Sequence, residues 1–241
     1  MIAAKRKKEN SKLNIAQLHW GFPPIVGGVE THLSTVLPEM ARKGHKVSLL
    51  TASVEGGRAK EVYKGVDVYR TPLMDLNWLF KRGLRGLDGE VYKTFMDFFK
   101  AVKPDVIHCH NMHYFSPIHT NAVEELAKKF GAPLILTAHN VWDDILFLDL
   151  TLRIKWDKII AVSHFIKREL MGVGCDDRKI TVIHHGVDSK MFRPGIKAHD
   201  ILKRHPELKG KRVIFHPARL GLAKGCDVGL KALNIIKKTT S

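Results

Sequence analysis

The apolar residues of this chain fall into short runs that alternate with stripes of helical spacing, and that alternation predicts an α/β architecture. Leu13-Asn14-Ile15-Ala16-Gln17-Leu18 predicts a first strand. After a Pro/Gly loop, Val29, Leu33, Val36, Leu37 and Met40 form the stripe of an amphipathic helix that Gly44 should end. Pro38 lies inside this helix and is expected to kink it or loosen its hydrogen bonding. Lys46–Thr51 predicts the next strand. Strand, helix and strand make a βαβ unit, which implies a parallel pair with a right-handed crossover. The rhythm then repeats. The chain offers a short strand at Val66–Arg70, a mobile, Gly-rich basic loop over residues 75–89, and a helix at Val91–Val102 whose stripe of Tyr92, Phe95, Met96 and Phe99 reads as core. A strand at Pro104–His110 and a helix over 119–130 closed by Gly131 follow. Further strands are expected at Pro133–Ala138, Lys158–Val162 and Ile180–Ile183, with Ser163 able to N-cap a helix after the second of these. The fold expected is a Rossmann-like, doubly wound, mostly parallel sheet.

After Asp188 the texture changes. Four segments are expected: a basic arm over 1–12, a first domain over 13–190, a linker with a short helix over 191–210, and a second Rossmann-like domain over 211–241. The last segment supplies one strand, Arg212–Pro217, and one helix, Gly225–Lys238. A lone strand leaves its backbone groups and faces without partners, so this domain reads as unfinished at Ser241.

Composition narrows the class. With 44% hydrophobic and 27% charged residues the chain is neither disordered nor fibrous. No apolar run approaches the roughly 18 residues of a membrane span, and the start lacks the apolar core of a signal peptide, so a cytoplasmic location is expected. Cys109, Cys175 and Cys226 are odd in number and far apart, which indicates neither a disulfide framework nor a zinc site. The net charge of +16 sits at the ends. Residues 1–12 hold five basic side chains against one acid, residues 190–241 hold thirteen against three, and the 177 between hold 22 against 20. No aromatic residues interleave with the lysines as stacking platforms, so no specific nucleic acid is expected. A peripheral contact with an anionic membrane is a second reading. A solvated tail plus a domain fragment is the preferred one.

In doubly wound sheets ligands bind beyond the carboxyl ends of the strands. This sequence puts Gly27 and Gly28, His108 and His110, His139 and Asn140, Ser163 and His164, and His184 and His185 at those ends. Gly27 and Gly28 would let backbone approach a ligand, and the helix after them offers free N–H groups to a phosphate or a sugar hydroxyl. The alternative for such a pair is a purely structural turn. Arg219 and Lys224 flank the start of the last helix and suit a diphosphate, or are simply surface charges. His108, His110 and His113 were weighed as metal ligands, but no carboxylate is placed to help them and no metal is expected. His139 is a candidate partner for a hydroxyl or a developing charge, or a hydrogen-bonded rim histidine.

Taken in order, several segments resemble the GT-B glycosyltransferases of family 4. They are Pro23–His32, Lys43–Val47, Asp105–His110, Thr137–Asn140, Ile160–Ser163, Val182–Asp188, and Arg219-Leu220 with Lys224-Gly225. The resemblance spans residues 13–235. It implies two Rossmann-like domains about a cleft, with an acceptor (a sugar or lipid-linked sugar) bound mainly by the first and a nucleotide-sugar donor mainly by the second. Transfer would retain anomeric configuration, without metal or other cofactor. By position, Gly27 and Gly28 would lie near the donor phosphates, His139 would face the transferred sugar, and Arg219 and Lys224 would neutralise the departing diphosphate. His110, Asn140, Ser163, His185 and Gly186 would line the cleft. His185 stands where the family most often has Asn. The Glu-x7-Glu segment of the family would fall beyond Ser241, so turnover by this chain alone is not expected. Two other readings are kept: a nucleotide-sugar epimerase on the same architecture, and a non-enzymatic basic fragment that binds membrane or nucleic acid.

Overall fold

In a computed structural model of the chain, described for residues 12–141, 144–195, 199–218, 220–221 and 224–239, two compact units meet at Gly186–Val187. The first is built on an eight-stranded sheet with spatial order β3-β4-β2-β1-β5-β6-β7-β8. Its strands are β1 (Asn14–Leu18), β2 (Lys46–Ala52), β3 (Lys60–Tyr63), β4 (Val66–Thr71), β5 (Val106–His110), β6 (Leu134–Ala138), β7 (Lys158–Ala161) and β8 (Ile180–Val182). All neighbours pair in parallel except β3 with β4. Strand order reverses direction at β1, the switch point where such sheets open a crevice.

The period of two along the central strands separates two faces. Ala16, Leu18, Leu50, Ala52, Ile107, Cys109, Leu136 and Ala138 join the larger apolar core. The opposite face of β2 sends Val47 and Leu49 into a smaller core, where they meet Leu33 and Leu37 of α1 (Gly28–Arg42). Helix α1 runs unbroken through Pro38. Gly44, at φ 93°, takes the left-handed turn that stops it, and Lys43 N–H bonds back to Glu39 O. The larger core is filled from α3 (Asp88–Val102), whose Phe95 and Phe99 are fully buried, and from α4 (Pro117–Phe130). Truncating either phenylalanine to alanine would cost about 3–5 kcal/mol.

The structure departs from the sequence reading in four places. Residues 75–89 are not one loop: α2 (Leu76–Arg82) fills the first half, and the next helix begins at Asp88. Asp75 caps α2 by accepting from Asn77 N at 2.9 Å and Trp78 N at 3.3 Å, Leu79 is buried, and Gly83 ends it at φ 75°. The glycine taken as a loop signal is a helix stop. Strand β3 was missed because its turn is Lys64-Gly65, with φ 47° and 85°, in place of the usual Asn-Gly. Helix α5 (Ile145–Arg153) was also missed, and Asp144 accepts from Phe147 N at 2.7 Å to start it. After α6 (His164–Gly172), the second unit holds α7 (His199–Arg204) and α8 (Cys226–Thr239). The segment Arg212–Pro217 is no strand: Val213, Ile214 and Phe215 are exposed, and among the described residues no strand pairs with them.

Candidate functional site

Polar residues on the core-opposed face of β1, β5 and β6 converge at the carboxyl rim. Register sets Gln17 opposite His108, and His110 opposite Thr137. Period-two alternation then carries the same face to His19 and His139, just beyond β1 and β6. His108 Nε2 contacts Thr137 Oγ1 at 2.7 Å. His110, buried, places Nε2 2.8 Å from Gln17 Oε1 and Nδ1 3.0 Å from His139 Nε2. His139 Nδ1 lies 3.0 Å from His185 Nε2 on the loop after β8. The His185 ring stacks on His32 of α1, with centroids 4.2 Å apart and planes 19° apart. His32 also meets His139 edge-on at 5.5 Å.

Burial disfavours an added proton throughout this cluster, and neighbouring histidines disfavour it further. His139 is pushed down to about 2, by burial first and then by His185 and His32. His110 falls well below the ordinary histidine value for the same reasons. His32 and His108 are each lowered to about 4, chiefly by burial, and His185 is lowered by burial. At neutral pH the row is therefore a chain of neutral imidazoles. Each ring can donate through one nitrogen and accept through the other.

A second network anchors the glycine loop. His19 is fully buried, and its Nδ1 donates to the His110 carbonyl at 3.2 Å. Its Nε2 lies 3.3 Å from Oε1 of Glu30, a side chain 6% exposed. The Glu30 carboxylate fills the space where a Cβ on Gly27 or on Gly21 would stand. Gly27 is thus required by the protein's own packing, at the extended N-cap of α1. Gly28 is different. It is exposed, and a Cβ there would meet nothing within 4 Å. Of the two glycines, Gly28 is the one whose bare backbone faces open space at a helix start.

The other residues singled out in the sequence are placed as follows. Ser163 Oγ accepts from Ile166 N at 3.1 Å and so caps α6. Asn140 accepts from Tyr114 OH at 2.9 Å through Oδ1, and its carbonyl accepts from His113 Nε2 at 3.3 Å. Among the described residues, no three His, Cys, Asp or Glu side chains are grouped to hold a metal ion. Gly186 is exposed with open space around it. Lys224, in the second unit, is exposed. Arg219 lies outside the described residues, as do residues 1–11 of the basic arm.

Three contributors were missed in the sequence. Gln17, His19 and Glu30 are buried polar residues, and Gln17 was hidden within an apolar strand. Their signal was the polar interruption itself, since a buried polar group needs a partner. Arg70, at the end of β4, is also buried. It donates to Glu61 Oε1 at 2.8 Å, the Ala52 carbonyl at 3.1 Å and the Pro23 carbonyl at 2.5 Å, tying the loop after β1 to the rim.

The model of Glycosyltransferase Family 4 matches residues 26–190. An uncharacterized 42.6 kDa protein in the cps region of Klebsiella pneumoniae is 24% identical over 133 residues, 50% of this chain and 35% of that protein. A glycosyltransferase from Rickettsia africae superposes with a TM-score of 0.69 at 20% identity, covering 94% of this chain and 58% of that one. HepE from Anabaena, solved in complex with UDP and glucose, gives 0.62 at 18% identity, with 92% and 57% covered. Sucrose-phosphate synthase from Thermosynechococcus elongatus gives 0.58 at 16% identity, with 78% and 52% covered. The chain thus spans little more than half the length of these structures and about a third of the curated relative.

Proposed function

Because this chain belongs to glycosyltransferase family 4, we propose that it acts in transferring a sugar from a nucleoside-diphosphate sugar to an acceptor, with retention and without a metal. The observation that carries the reading is Gly28, an exposed glycine at the first turn of α1 with open space where a side chain would stand. Gly27, at the N-cap, supplies no side-chain cap, and the positive end of the helix suits a phosphate. HepE was solved with UDP, which makes uridine nucleotides the first to try. In this reading His139, with His110, Asn140, Ser163, His185 and Gly186 around it, meets a sugar hydroxyl. Arg219 and Lys224 neutralise the departing diphosphate, worth several kcal/mol if preorganised.

The test is calorimetric titration of the chain with UDP, GDP and ADP, repeated on Gly28→Val. One nucleotide should bind, and the bulkier residue should remove that binding while circular dichroism stays native. Binding that survives Gly28→Val unchanged, or no binding by any of the three, defeats the reading.

The acceptor side is proposed to work at the inner, anionic face of a membrane, from the cytoplasm. No helix among the described residues is long and apolar enough to cross one. Support comes from α2 and the turn after it, where Phe80 is 92% exposed beside exposed Lys81, Arg82 and Arg85. Each such cation adds on the order of 1 kcal/mol at an anionic surface. Co-sedimentation with phosphatidylglycerol vesicles that weakens with salt and with Phe80→Ser supports this; equal retention on phosphatidylcholine vesicles counts against it.

A further inference from the structure

Gln17 is a fully buried amide in the middle of an apolar strand. Its oxygen lies 2.8 Å from His110 Nε2, and its nitrogen points at Met40 Sδ, 3.9 Å away. A thioether sulfur accepts and cannot donate. Turning the amide over would set oxygen against sulfur, two acceptors face to face, so the nitrogen belongs on the methionine side. The oxygen then requires a proton on His110 Nε2. His110 is kept neutral by burial, which leaves its Nδ1 bare. The only way for that bare nitrogen to bond His139 Nε2 at 3.0 Å is to accept from it. His139 is neutral too, so its own Nδ1 is bare and accepts from His185 Nε2–H at 3.0 Å. One amide orientation sets the direction of three hydrogen bonds in series.

We propose that Gln17 is a positioning residue that acts through His110 to fix His139 as the Nε2–H tautomer, with a bare Nδ1 presented at the rim. Resting on the glycosyltransferase reading, this deepens it: what His139 offers a sugar is a hydrogen-bond acceptor. In the free chain that acceptor is satisfied by His185, whose side chain is exposed on a rim loop. An incoming hydroxyl takes the place of the His185 N–H, donor for donor. A ligand whose hydroxyl is methylated at that point cannot make the exchange and leaves a lone pair facing a lone pair. Specificity for a free hydroxyl therefore originates in a glutamine two residues apart from the rim and out of ligand contact.

The experiment labels the histidines with 15N and reads two-bond proton–nitrogen correlations at neutral pH, assigning His110 and His139 by their disappearance in His110→Gln and His139→Gln. In the native chain both rings should show one tautomer, protonated at Nε2 and bare at Nδ1. Gln17→Met keeps the side-chain length and removes the oxygen; His139 should then lose its single tautomer and populate both. Gln17→Glu, whose ionised carboxylate only accepts, should restore the native pattern. A native His139 protonated at Nδ1 overturns the proposal outright, whether or not the variants fold. So does a folded Gln17→Met chain that still shows only the Nε2–H form. None of these readings needs a ligand, so failure of nucleotide binding leaves the tautomer result standing, and the reverse also holds.

Discussion

Replacing Gly27 with alanine tests whether the glycine pair serves a ligand or the protein itself. The Glu30 carboxylate occupies the volume that the new methyl needs, and Glu30 is itself buried against His19. Forcing a methyl into a filled site costs typically 1–3 kcal/mol. Alanine is also a poorer N-cap than glycine, by roughly 0.5 kcal/mol. The sum expected for Gly27→Ala is about 1.5–3.5 kcal/mol. Gly28→Ala meets nothing and enters the first helical turn, where alanine is the better helix former, so it should be neutral or gain up to about 1 kcal/mol. Glu30→Ala removes the obstacle but leaves a buried His19 nitrogen without its partner, a loss of about 1–3 kcal/mol. The double variant closes the cycle: in the Glu30→Ala background, Gly27→Ala should cost only its capping term, a coupling of at least about 1 kcal/mol. Urea unfolding of the native chain and the four variants, followed by circular dichroism with the slope checked for constancy, gives the numbers. If Gly27→Ala and Gly28→Ala lie within about 0.5 kcal/mol of each other, or if Gly27→Ala costs the same with and without Glu30, the steric reasoning is wrong.

Other outcomes follow from single contacts. Arg70→Met should lose about 2–3 kcal/mol, because two rim carbonyls lose a charged donor, and Arg70→Lys should recover less than half, since a point charge cannot reach both carbonyls and Glu61 together; full recovery by lysine in a thermal melt would contradict the forked geometry. Ser163→Ala should cost about 1 kcal/mol through the lost cap on α6, a fall of about 2–4 °C in Tm, while Ser163→Asp keeps the cap and most of the stability. Acid should weaken the fold through histidines buried without charge. His113 and His119 have no exposure and are pushed down to about 3 and about 4 by burial, against about 6.5 in the unfolded chain. Above about pH 6.5 both states hold them neutral and their contribution is complete; as pH falls toward 4 only the unfolded state takes up the protons, so stability is lost by up to about 1.4 kcal/mol per pH unit for each ring. A urea midpoint that stays level between about pH 7 and pH 5 would refute this.

Much of the sheet was legible because its strands are nearly continuous apolar runs, which a parallel sheet covered on both sides requires. The gathering of His110 and His139 at one rim followed from their places at or just beyond the carboxyl ends of successive strands. What could not be read was which partner each polar residue chose. Gly27 looked like room left for a ligand and is room taken by Glu30, a side chain three residues further on. Arg70 stood only as the end of a predicted strand and is buried as a fork among carbonyls. His139 looked free to meet a ligand, and both its nitrogens are engaged by other histidines. In each case composition named the group, and only the packing of separate segments named its partner. The segment Arg212–Pro217 shows the converse: its β-branched and aromatic residues favour a strand locally, but without an adjacent strand the preference is not realised.

The reversed polarity of β3 bears on how this scaffold can vary. Because β2 rises to the histidine rim at Ala52 and β3 descends from it at Lys60, the bend over residues 53–59 stands at that rim without belonging to any crossover. It hangs on the outermost, four-residue ribbon of the sheet. Lengthening it by several residues costs only a few tenths of a kcal/mol in closure entropy and disturbs no parallel register. Insertions grafted there would remodel the border of the histidine rim while the stitching beneath β1, β5 and β6 stays untouched.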